Sequence, residues 1–476
     1  MPTASAARML GRTESLCPVC LGRVPATKVS VGDDVYLEKH CPAHGFSRTI
    51  IWRGPPSYTT WEGPPHPPAP PLRPSTRARS GCPFDCGLCP EHRQRTCCVL
   101  LEVTSRCNLR CPICFAGASS QGCDPDLDEL ERSFRLLSAQ GGRCNVQLSG
   151  GEPTVRDDLP EVIALGRRLG HDFIQLNTNG IRLAREPGYA KRLKDAGLGC
   201  VFLQFDGVSD AVHRRIRGAA LAQVKAAAIA CCAEVGLGVV LVPTLVANVN
   251  TEELGAIIAF ALEQGPAVRG VHFQPVSYFG RYPRPPEDRD RFTLPEVMMG
   301  LERQTQGMVL ASHLRPPGAE NAHCSFSGNF VRTKDGLAPT LGGQTSCCGT
   351  PELSAQASRA TCCPGKEAEA ARQVVALRWS LPGGAAKPEP DGSGVRVDSL
   401  DAFLAQGRRA SFSISGMAFQ DVWNIDLERV RECFIHVVAP GSRLVPFCAY
   451  NVTDVLGRSL YRPRLPVEPV RALGVA

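Results

Sequence analysis

Residues 98–115, CVLLEVTSRCNLRCPICF, join an apolar run to three closely spaced cysteines. The run at 99–104 has the length and the β-branched content of a buried strand. Cys107, Cys111 and Cys114 follow at its carboxyl end with the spacing C-x3-C-x2-C. Three thiolates at this spacing can bind three irons of a [4Fe–4S] cluster, and no nearby fourth cysteine completes the set. One iron would then stay open for a ligand. A zinc knuckle, or a ferredoxin-type cluster with a distant fourth ligand, is the alternative.

A second motif, LSGGEP at residues 148–153, follows the next apolar run, 145–149. Gly150 and Gly151 carry no side chain, so the backbone there can approach a ligand closely. Glu152 can accept a hydrogen bond from an ammonium group. A Gly-Gly pair alone often marks only a turn, but its position one strand after the cysteines favours a cofactor site.

Between about residues 98 and 275 the chain alternates apolar runs with helix-like segments. The runs are 99–104, 145–149, 173–177, 200–205, 239–243 and 271–275, and the helix-like segments include 127–139, 159–169, 219–235 and 251–263. This alternation predicts a parallel sheet with right-handed crossovers, in a partial or closed barrel with function at the carboxyl ends of the strands. A doubly wound open sheet has the same periodicity.

The composition limits the class of protein. A chain of 476 residues is long enough for two or three domains. The net charge of +7 is mild and the basic residues are scattered, which gives little support to a nucleic-acid partner. The sequence has neither a signal-peptide pattern nor an apolar run of about 18 residues that could span a membrane. The 23 cysteines, many in close pairs and triplets, therefore indicate metal sites in a reducing, cytoplasmic setting.

Together, the cysteine loop and GGEP resemble the radical S-adenosylmethionine (radical SAM) superfamily over about residues 98–280. The resemblance implies that the open iron chelates the amino and carboxylate groups of SAM and that residues 150–152 hold its amino group. An electron from the cluster then cleaves the sulfonium bond, giving methionine and a 5′-deoxyadenosyl radical. By the same analogy Asn177, Gln204 and Asp206, at later strand ends, contact cofactor or substrate. Ile113 departs from the family, many of whose members carry an aromatic residue there, although Phe115 is near.

Two further segments have the cysteine spacing of metal sites. Cys82, Cys86, Cys89 and Cys97 give four thiolates within sixteen residues, which favours an auxiliary [4Fe–4S] cluster, with tetrahedral zinc as the alternative. Near the amino end, a C-x2-C…C-x2-H pattern predicts one zinc or one mononuclear iron, bound by Cys17, Cys20, Cys41 and His44.

A third, incomplete set consists of Cys324, Cys433 and Cys448. These three predict a second auxiliary cluster, whose fourth ligand could be Cys347, Cys348, Cys362 or Cys363. The remaining cysteines between the motifs are expected to be ordinary buried thiols: Cys123, Cys144, Cys200, Cys231 and Cys232.

Longer pieces of the chain resemble one branch of the superfamily, that of dihydropterin methyltransferase and archaeal tetraether lipid synthase. They are GCPFDCGLCPEHRQRTC (81–97), LLEVTSRCNLRCPICFA (100–116), LSGGEPTVRDDLP (148–160), NTNG (177–180), LQFDG (203–207) and DLERVRECFIHVVAPGSRLVPFCAYN (426–451). Members of this branch act on unactivated carbon, by one-carbon transfer to a pterin or by joining lipid chain ends. Between 280 and 410 the likeness thins, and substrate choice is expected to reside there.

The predicted architecture is α/β, a partial (β/α)6 radical SAM barrel with three additional parts. Its predicted divisions are a Cys/His metal-binding, zinc- or rubredoxin-like module (1–53), a Pro-rich linker without a core (54–80), an auxiliary iron–sulfur segment (81–97), the radical SAM core (98–280) and a C-terminal cluster-binding domain (281–476).

The predicted function is C-alkylation, either methyl transfer or C–C coupling, of a pterin-like or lipid substrate. The expected cofactors are the radical SAM cluster, one or two auxiliary clusters, SAM, and one zinc or iron. The expected partner is an electron donor such as ferredoxin or flavodoxin, with peripheral membrane contact left open. A multi-cluster electron-transfer protein without its own substrate is the alternative.

Overall fold

The computed structural model describes residues 6–63, 68–71, 73–141, 144–318, 320–340, 367–381, 407 and 409–463. The chain begins with a four-stranded antiparallel sheet, whose strands are β1 (Arg8–Leu16), β2 (Arg23–Val31), β3 (Asp34–Cys41) and β4 (Gly45–Trp52). This sheet occupies the segment that the sequence predicts as a Cys/His metal-binding module (1–53). The turn from β2 to β3 is tight, with Gly32 in the left-handed region at φ 62°.

The six predicted apolar runs all form parallel strands. They are β5 (Cys98–Thr104), β6 (Asn145–Gly150), β7 (Ile174–Thr178), β8 (Cys200–Gln204), β9 (Gly238–Val242) and, after the short β10 (Thr244–Leu245), β11 (Val268–Pro275). Every residue of β6 is buried. Strands that are covered on both faces carry near-continuous apolar runs, which is why the sequence predicts them well.

Five strands from the carboxyl-terminal half extend this sheet: β12 (Ser325–Thr333), β13 (Gly336–Pro339), β14 (Ser411–Met417), β15 (Ile435–Ala439) and β16 (Arg443–Pro446). β14 pairs parallel with β11 and β15 pairs parallel with β5, at the two edges of the predicted core. The strand order is β13-β12-β14-β11-β9-β8-β7-β6-β5-β15-β16, an open path. The partial barrel is thus confirmed, and strands from both sides of the predicted boundary at residue 280 share one sheet.

Helices cross between the strands: α1 (Leu127–Leu136), α2 (Leu159–Arg168), α3 (Ile181–Arg185), α4 (Tyr189–Asp195), α5 (Asp210–Arg217), α6 (Ala222–Glu234), α7 (Leu254–Glu263), α8 (Leu294–Gln304), α9 (Glu367–Trp379), α10 (Leu427–Arg431) and α11 (Phe447–Asn451). The sequence pattern missed α3, α4 and α5. Among the described residues no single helix is long and apolar enough to cross a membrane, and only the pair α5 and α6, bent by 98°, passes that test jointly.

The prediction that the Pro-rich segment has no core is wrong for its first part. Tyr58 and Trp61 are 9% and 7% exposed and belong to the main hydrophobic cluster. The Tyr58 ring stacks on His323 at 3.7 Å, and the Trp61 indole donates to the Ala322 carbonyl. Two large aromatic side chains bury enough apolar area to override the local effect of the prolines.

Candidate functional site

One cavity of about 640 Å³ lies inside the partial barrel, at the carboxyl ends of its strands and below them. It is lined by eight of the nine predicted cofactor residues: Cys107, Cys111, Cys114, Gly150, Gly151, Glu152, Asn177 and Gln204. Because parallel strands end at the same edge of a sheet, residues up to about one hundred positions apart in sequence meet there. Ile113 and Phe115 also line this cavity.

The glycines of GGEP bring two loops into direct contact. The Gly151 amide donates to the Thr104 carbonyl at 2.8 Å, and the Glu152 amide donates to the Arg106 carbonyl at 2.9 Å. A Cβ atom at Gly151 would lie 2.0 Å from the Arg106 carbonyl oxygen, and one at Gly150 would lie 2.1 Å from that of Thr104. Only glycine allows this approach, so the two motifs form one structural unit.

The Glu152 carboxylate is buried at 2% exposure and organises the neighbouring strand end. One of its oxygens accepts from the Thr154 amide and from the Thr154 and Thr178 hydroxyls, and the other accepts from the Asn179 amide at 2.6 Å. Asn179 in turn donates to the Asn108 side chain, inside the cysteine loop. Glu152 therefore fixes the shape of the site, and its predicted contact with the amino group of SAM stays a prediction.

The three cysteines of the loop have the chemistry that an iron cluster requires. Burial raises the pKa of Cys107 to about 12 and also raises the pKa of Cys111. The Leu109 amide points at the Cys107 sulfur from 3.4 Å. Buried thiols of this kind ionise when a metal cation binds them, so the loop fits a cluster.

Gly280 and Arg281, which the sequence analysis did not single out, hold the cysteine loop in place. Arg281 donates to the carbonyls of Cys111 and Ala118 at 2.8 and 3.1 Å, and its backbone exchanges two hydrogen bonds with Cys114. Gly280 has a φ of 55°, and a Cβ there would lie 2.5 Å from the Phe115 carbonyl oxygen. A lone Gly-Arg pair after β11 carries no recognisable sequence signal.

Asp206 does not reach the cavity. It is fully buried and forms a bidentate ion pair with Arg217, at 2.7 and 2.6 Å. Arg217 lines the cavity instead, where its charge opposes the burial effect that raises the pKa of Cys111. Gln204, with its amide oriented to satisfy both groups, accepts from Arg217 at 3.0 Å. One cation that lines this site thus comes from the end of α5, which the sequence pattern did not reveal.

The amino-terminal set is geometrically complete. The ligand atoms of Cys17, Cys20, Cys41 and His44 all lie within 4.8 Å of one another. The His44 Nδ1 atom is 3.6 Å from the Cys17 sulfur and 3.4 Å from the Cys41 sulfur. Tetrahedral zinc, with bonds of about 2.3 Å to sulfur and 2.0 Å to nitrogen, requires separations of about 3.5 Å. The four residues therefore fit one such ion.

The predicted set at 82–97 is brought together only in part. Cys82, Cys86 and Cys89 are buried neighbours, and Cys82 together with burial raises the pKa of Cys86 well above its usual value. Cys97 instead lines the large cavity. Burial raises the pKa of its thiol well above the usual value, and the nearby Cys98, Glu320 and Cys144 raise it further. The backbone explains this separation, since the Cys97 amide is tied to the Phe434 carbonyl beside the start of β5.

The distant cysteines of the carboxyl-terminal half do converge. Burial raises the pKa of the half-buried Cys433 thiol well above its usual value, and the nearby Cys448 and Cys324 raise it further. Arg429 donates from two nitrogens to the Cys324 sulfur, each at 3.4 Å. A cation beside a sulfur favours its thiolate form, which suits a metal ligand. The four candidates for a fourth ligand lie outside the described residues: Cys347, Cys348, Cys362 and Cys363.

Of the cysteines expected to be ordinary buried thiols, four are buried or half-buried: Cys144, Cys200, Cys231 and Cys232. Cys123 is exposed, and for it the prediction is wrong. Its backbone is held by Ser105 on the surface side of the cysteine loop.

Below the cofactor residues, a cavity lined largely by apolar side chains also carries polar side chains on the inner face of the sheet. Alternate positions on five strands present side chains with hydrogen-bonding groups: Asn145, Gln147 and Ser149; Gln175 and Asn177; His272 and Gln274; Ser325, Ser327 and Asn329; and Ser413 and Ser415. Several aromatic rings also line the cavity, among them Phe202, whose ring lies 4.7 Å from that of Trp379 and 5.9 Å from that of His272. Such a face can bind a flat, polar molecule.

Known proteins share these features. Residues 101–261 match the model of the radical SAM superfamily, and residues 9–53 match that of the HMPTM N-terminal zinc ribbon domain. The 7,8-dihydro-6-hydroxymethylpterin dimethyltransferase of Methanocaldococcus jannaschii is 34% identical, over 92% of this chain and 93% of that one. A probable GTP 3′,8-cyclase of Methanococcus maripaludis is 30% identical over 37% of this chain and 59% of its own length.

Among solved structures, Streptococcus suis SuiB overlaps 45% of this chain and 46% of its own, with 14% identity and a TM-score of 0.36. That overlap is too slight to bear on function. The near full-length relative and the superfamily match agree with the cysteine loop, the GGEP contact and the partial barrel. This chain is a radical SAM enzyme with an amino-terminal zinc ribbon, and it belongs to the family of the 7,8-dihydro-6-hydroxymethylpterin dimethyltransferase.

Proposed function

We propose that the protein methylates a carbon atom of a dihydropterin. The observation that carries this proposal is the set of polar side chains on the inner face of the sheet, at alternate positions of β6, β7, β11, β12 and β14. Several of these groups already bond to one another, as Gln147 does to Asn177 and His272 to Ser415, and a lipid chain would leave their remaining hydrogen-bonding capacity unused. A pterin carries an amine, a carbonyl and ring nitrogens that can bond to them, and the relative named for such a substrate covers nearly the whole chain.

Within this proposal the described residues divide the work. Cys107, Cys111 and Cys114 hold the cluster, which when bound supplies the electron that cleaves SAM. Gly150 and Gly151 let the backbone approach the cofactor, and Arg217 offers a cation to its carboxylate. The aromatic rings around Phe202 form a stacking surface for the substrate.

We also propose that two auxiliary [4Fe–4S] clusters occupy the chain, one at Cys82, Cys86 and Cys89 and one at Cys324, Cys433 and Cys448. Once Cys97 is assigned to the cavity, no fourth cysteine joins the first set within the described part of the chain. The electron donor is a ferredoxin or flavodoxin, and the reaction takes place in the cytoplasm. A fully loaded protein would contain about twelve cluster irons, besides the ion of the ribbon.

The test is substrate-dependent cleavage of SAM by anaerobically reconstituted protein. With dithionite as reductant, 6-hydroxymethyl-7,8-dihydropterin should accelerate 5′-deoxyadenosine formation, and methylated pterin should be detected by mass spectrometry once a one-carbon donor is present. Glycerolipid vesicles serve as the comparison substrate. Acceleration by lipid but not by pterin would contradict the proposal.

A further inference from the structure

The cavity contains one carboxyl group that neither cofactor binding nor the cluster sites use. Glu320 is 8% exposed and lines the cavity just before β12, in the part of the chain where substrate choice is expected. Its Oε1 atom accepts from the Ser325 hydroxyl at 2.5 Å. The backbone amide of Glu320 itself also acts on this carboxyl group, and among the described residues no other side chain and no cation forms a hydrogen bond or ion pair with it. A buried carboxyl group with spare acceptor positions therefore faces the cavity.

The hydrogen-bonding capacity of this group can be counted. A carboxylate has about four acceptor positions on its two oxygens, and Ser325 occupies one. When the group is ionised, at least two positions are left for a ligand after Ser325 and the Glu320 amide are counted. Two parallel acceptors about 2.2 Å apart match a molecule that presents two parallel N–H donors, as in the paired geometry of carboxylate and guanidinium.

We propose that Glu320 binds the 2-amino-4-oxopyrimidine edge of the substrate, accepting hydrogen bonds from its N3–H and 2-amino groups. This inference rests on the proposed function and names the residue that sets its substrate specificity. Ser325 fixes the carboxylate in position, and the polar side chains on β12 and β14 surround the rest of the ring. The 2-oxo analogue, a lumazine, presents one donor and one acceptor, so its carbonyl would face a carboxylate oxygen without a proton between them.

We expect Glu320→Gln to reverse the preference of the protein between the pterin and the lumazine. A glutamine offers one acceptor and one donor, which match N3–H and the 2-oxo group of lumazine. Wild-type protein should bind 6-hydroxymethyl-7,8-dihydropterin about 100-fold more tightly than 6-hydroxymethyl-7,8-dihydrolumazine, because a site built for two donors rejects an analogue that lacks one. In Glu320→Gln the lumazine should be the tighter ligand.

Reconstituted holoenzyme is used with SAM bound, and affinity is measured by anaerobic fluorescence titration of the pterin. Cluster content checks the folding of each variant. Ser325→Ala keeps the carboxylate and should weaken pterin binding several-fold without changing the preference. Glu234→Gln, at an exposed position on α6, is the matched control and should behave as wild type.

The outcomes separate this inference from the proposed function. If the wild type binds dihydropterin and both Glu320→Gln and Ser325→Ala leave affinity and preference unchanged, the role of Glu320 is refuted while the function stands. If Glu320→Gln loses its clusters, the Ser325→Ala result alone decides. Wild-type protein that ignores both pteridines but binds guanosine through Glu320 would keep the contact chemistry and overturn the function. Binding of neither class would overturn both.

Discussion

The contact between the GGEP glycines and the cysteine loop makes Gly151→Ala a direct test of the site. The new Cβ atom would lie 2.0 Å from the Arg106 carbonyl oxygen and 2.6 Å from its carbonyl carbon. An ordinary carbon–oxygen contact needs about 3.3 Å, so the two backbones must separate by about 1.3 Å. The backbone of Gly151 has no left-handed φ, and the effect is therefore one of contact rather than of conformational strain.

The expected loss follows from what this separation moves. Cys107 directly follows Arg106, and the Glu152 amide loses its 2.9 Å bond to the same carbonyl. Overpacking of this size costs about 1–3 kcal/mol of stability. A displacement of about 1 Å between cofactor and protein costs about 100-fold in rate. Gly151→Ala should keep most of its fold and lose nearly all SAM cleavage.

The assay compares initial rates of 5′-deoxyadenosine formation, with dithionite as reductant and equal iron loading. Gly11→Ala is the matched control, because a Cβ there meets no atom within 4 Å. Its rate should equal that of the wild type. A Gly151→Ala variant that cleaves SAM at the wild-type rate would refute the reasoning that links the two loops.

Three further predictions concern stability. Asp206→Asn leaves the Arg217 cation buried without its partner and should lower the free energy of unfolding by about 3–5 kcal/mol in urea titrations, whereas an unchanged midpoint would contradict the buried ion pair. Cys41→Ser removes a predicted zinc ligand. Because the buried residue Lys39 of the zinc ribbon donates to the Val422 carbonyl at 2.7 Å, the whole chain should melt earlier in one transition, without a separate transition of the ribbon. Burial raises the pKa of Glu320 to about 7 and so favours its neutral form in the folded chain. The stability that goes with the neutral form is present at low pH and is lost as the pH rises through 7. The free energy of unfolding of Glu320→Gln should therefore rise relative to that of the wild type between pH 5 and pH 8, by up to about 3 kcal/mol. A difference that does not change with pH would contradict the raised pKa of Glu320.

The parallel strands were predictable because each is buried on both faces. The predicted run 145–149 became β6 (Asn145–Gly150), and 200–205 became β8 (Cys200–Gln204). The helix α5 was missed because it spans only eight residues and ends at Gly218, in the left-handed conformation. The addition of β14 and β15 to the sheet edges depends on contacts across more than 100 residues, which local patterns do not encode.

In the site, the predicted cofactor residues were found where short motifs follow directly after strands. Predictions from spacing alone fared less well. Cys97 lies eight residues beyond Cys89, but its position is set by the pairing of the neighbouring Phe434 with the start of β5. Asp206, like Asn177, lies at the end of a strand, but its ion pair with Arg217, eleven residues later, holds it outside the cavity. Tertiary ion pairs and strand pairing therefore decide what sequence spacing leaves open.

We infer that Cys107, Cys111 and Cys114 would hold the cluster, which would supply the electron for SAM cleavage. The most direct test of this claim is 5′-deoxyadenosine formation by Cys111→Ala, with Cys123→Ala, an exposed cysteine outside the cavity, as the control. The wild type and the control should form 5′-deoxyadenosine at equal rates, and Cys111→Ala should form none. Product formation by Cys111→Ala at the wild-type rate would contradict the claim.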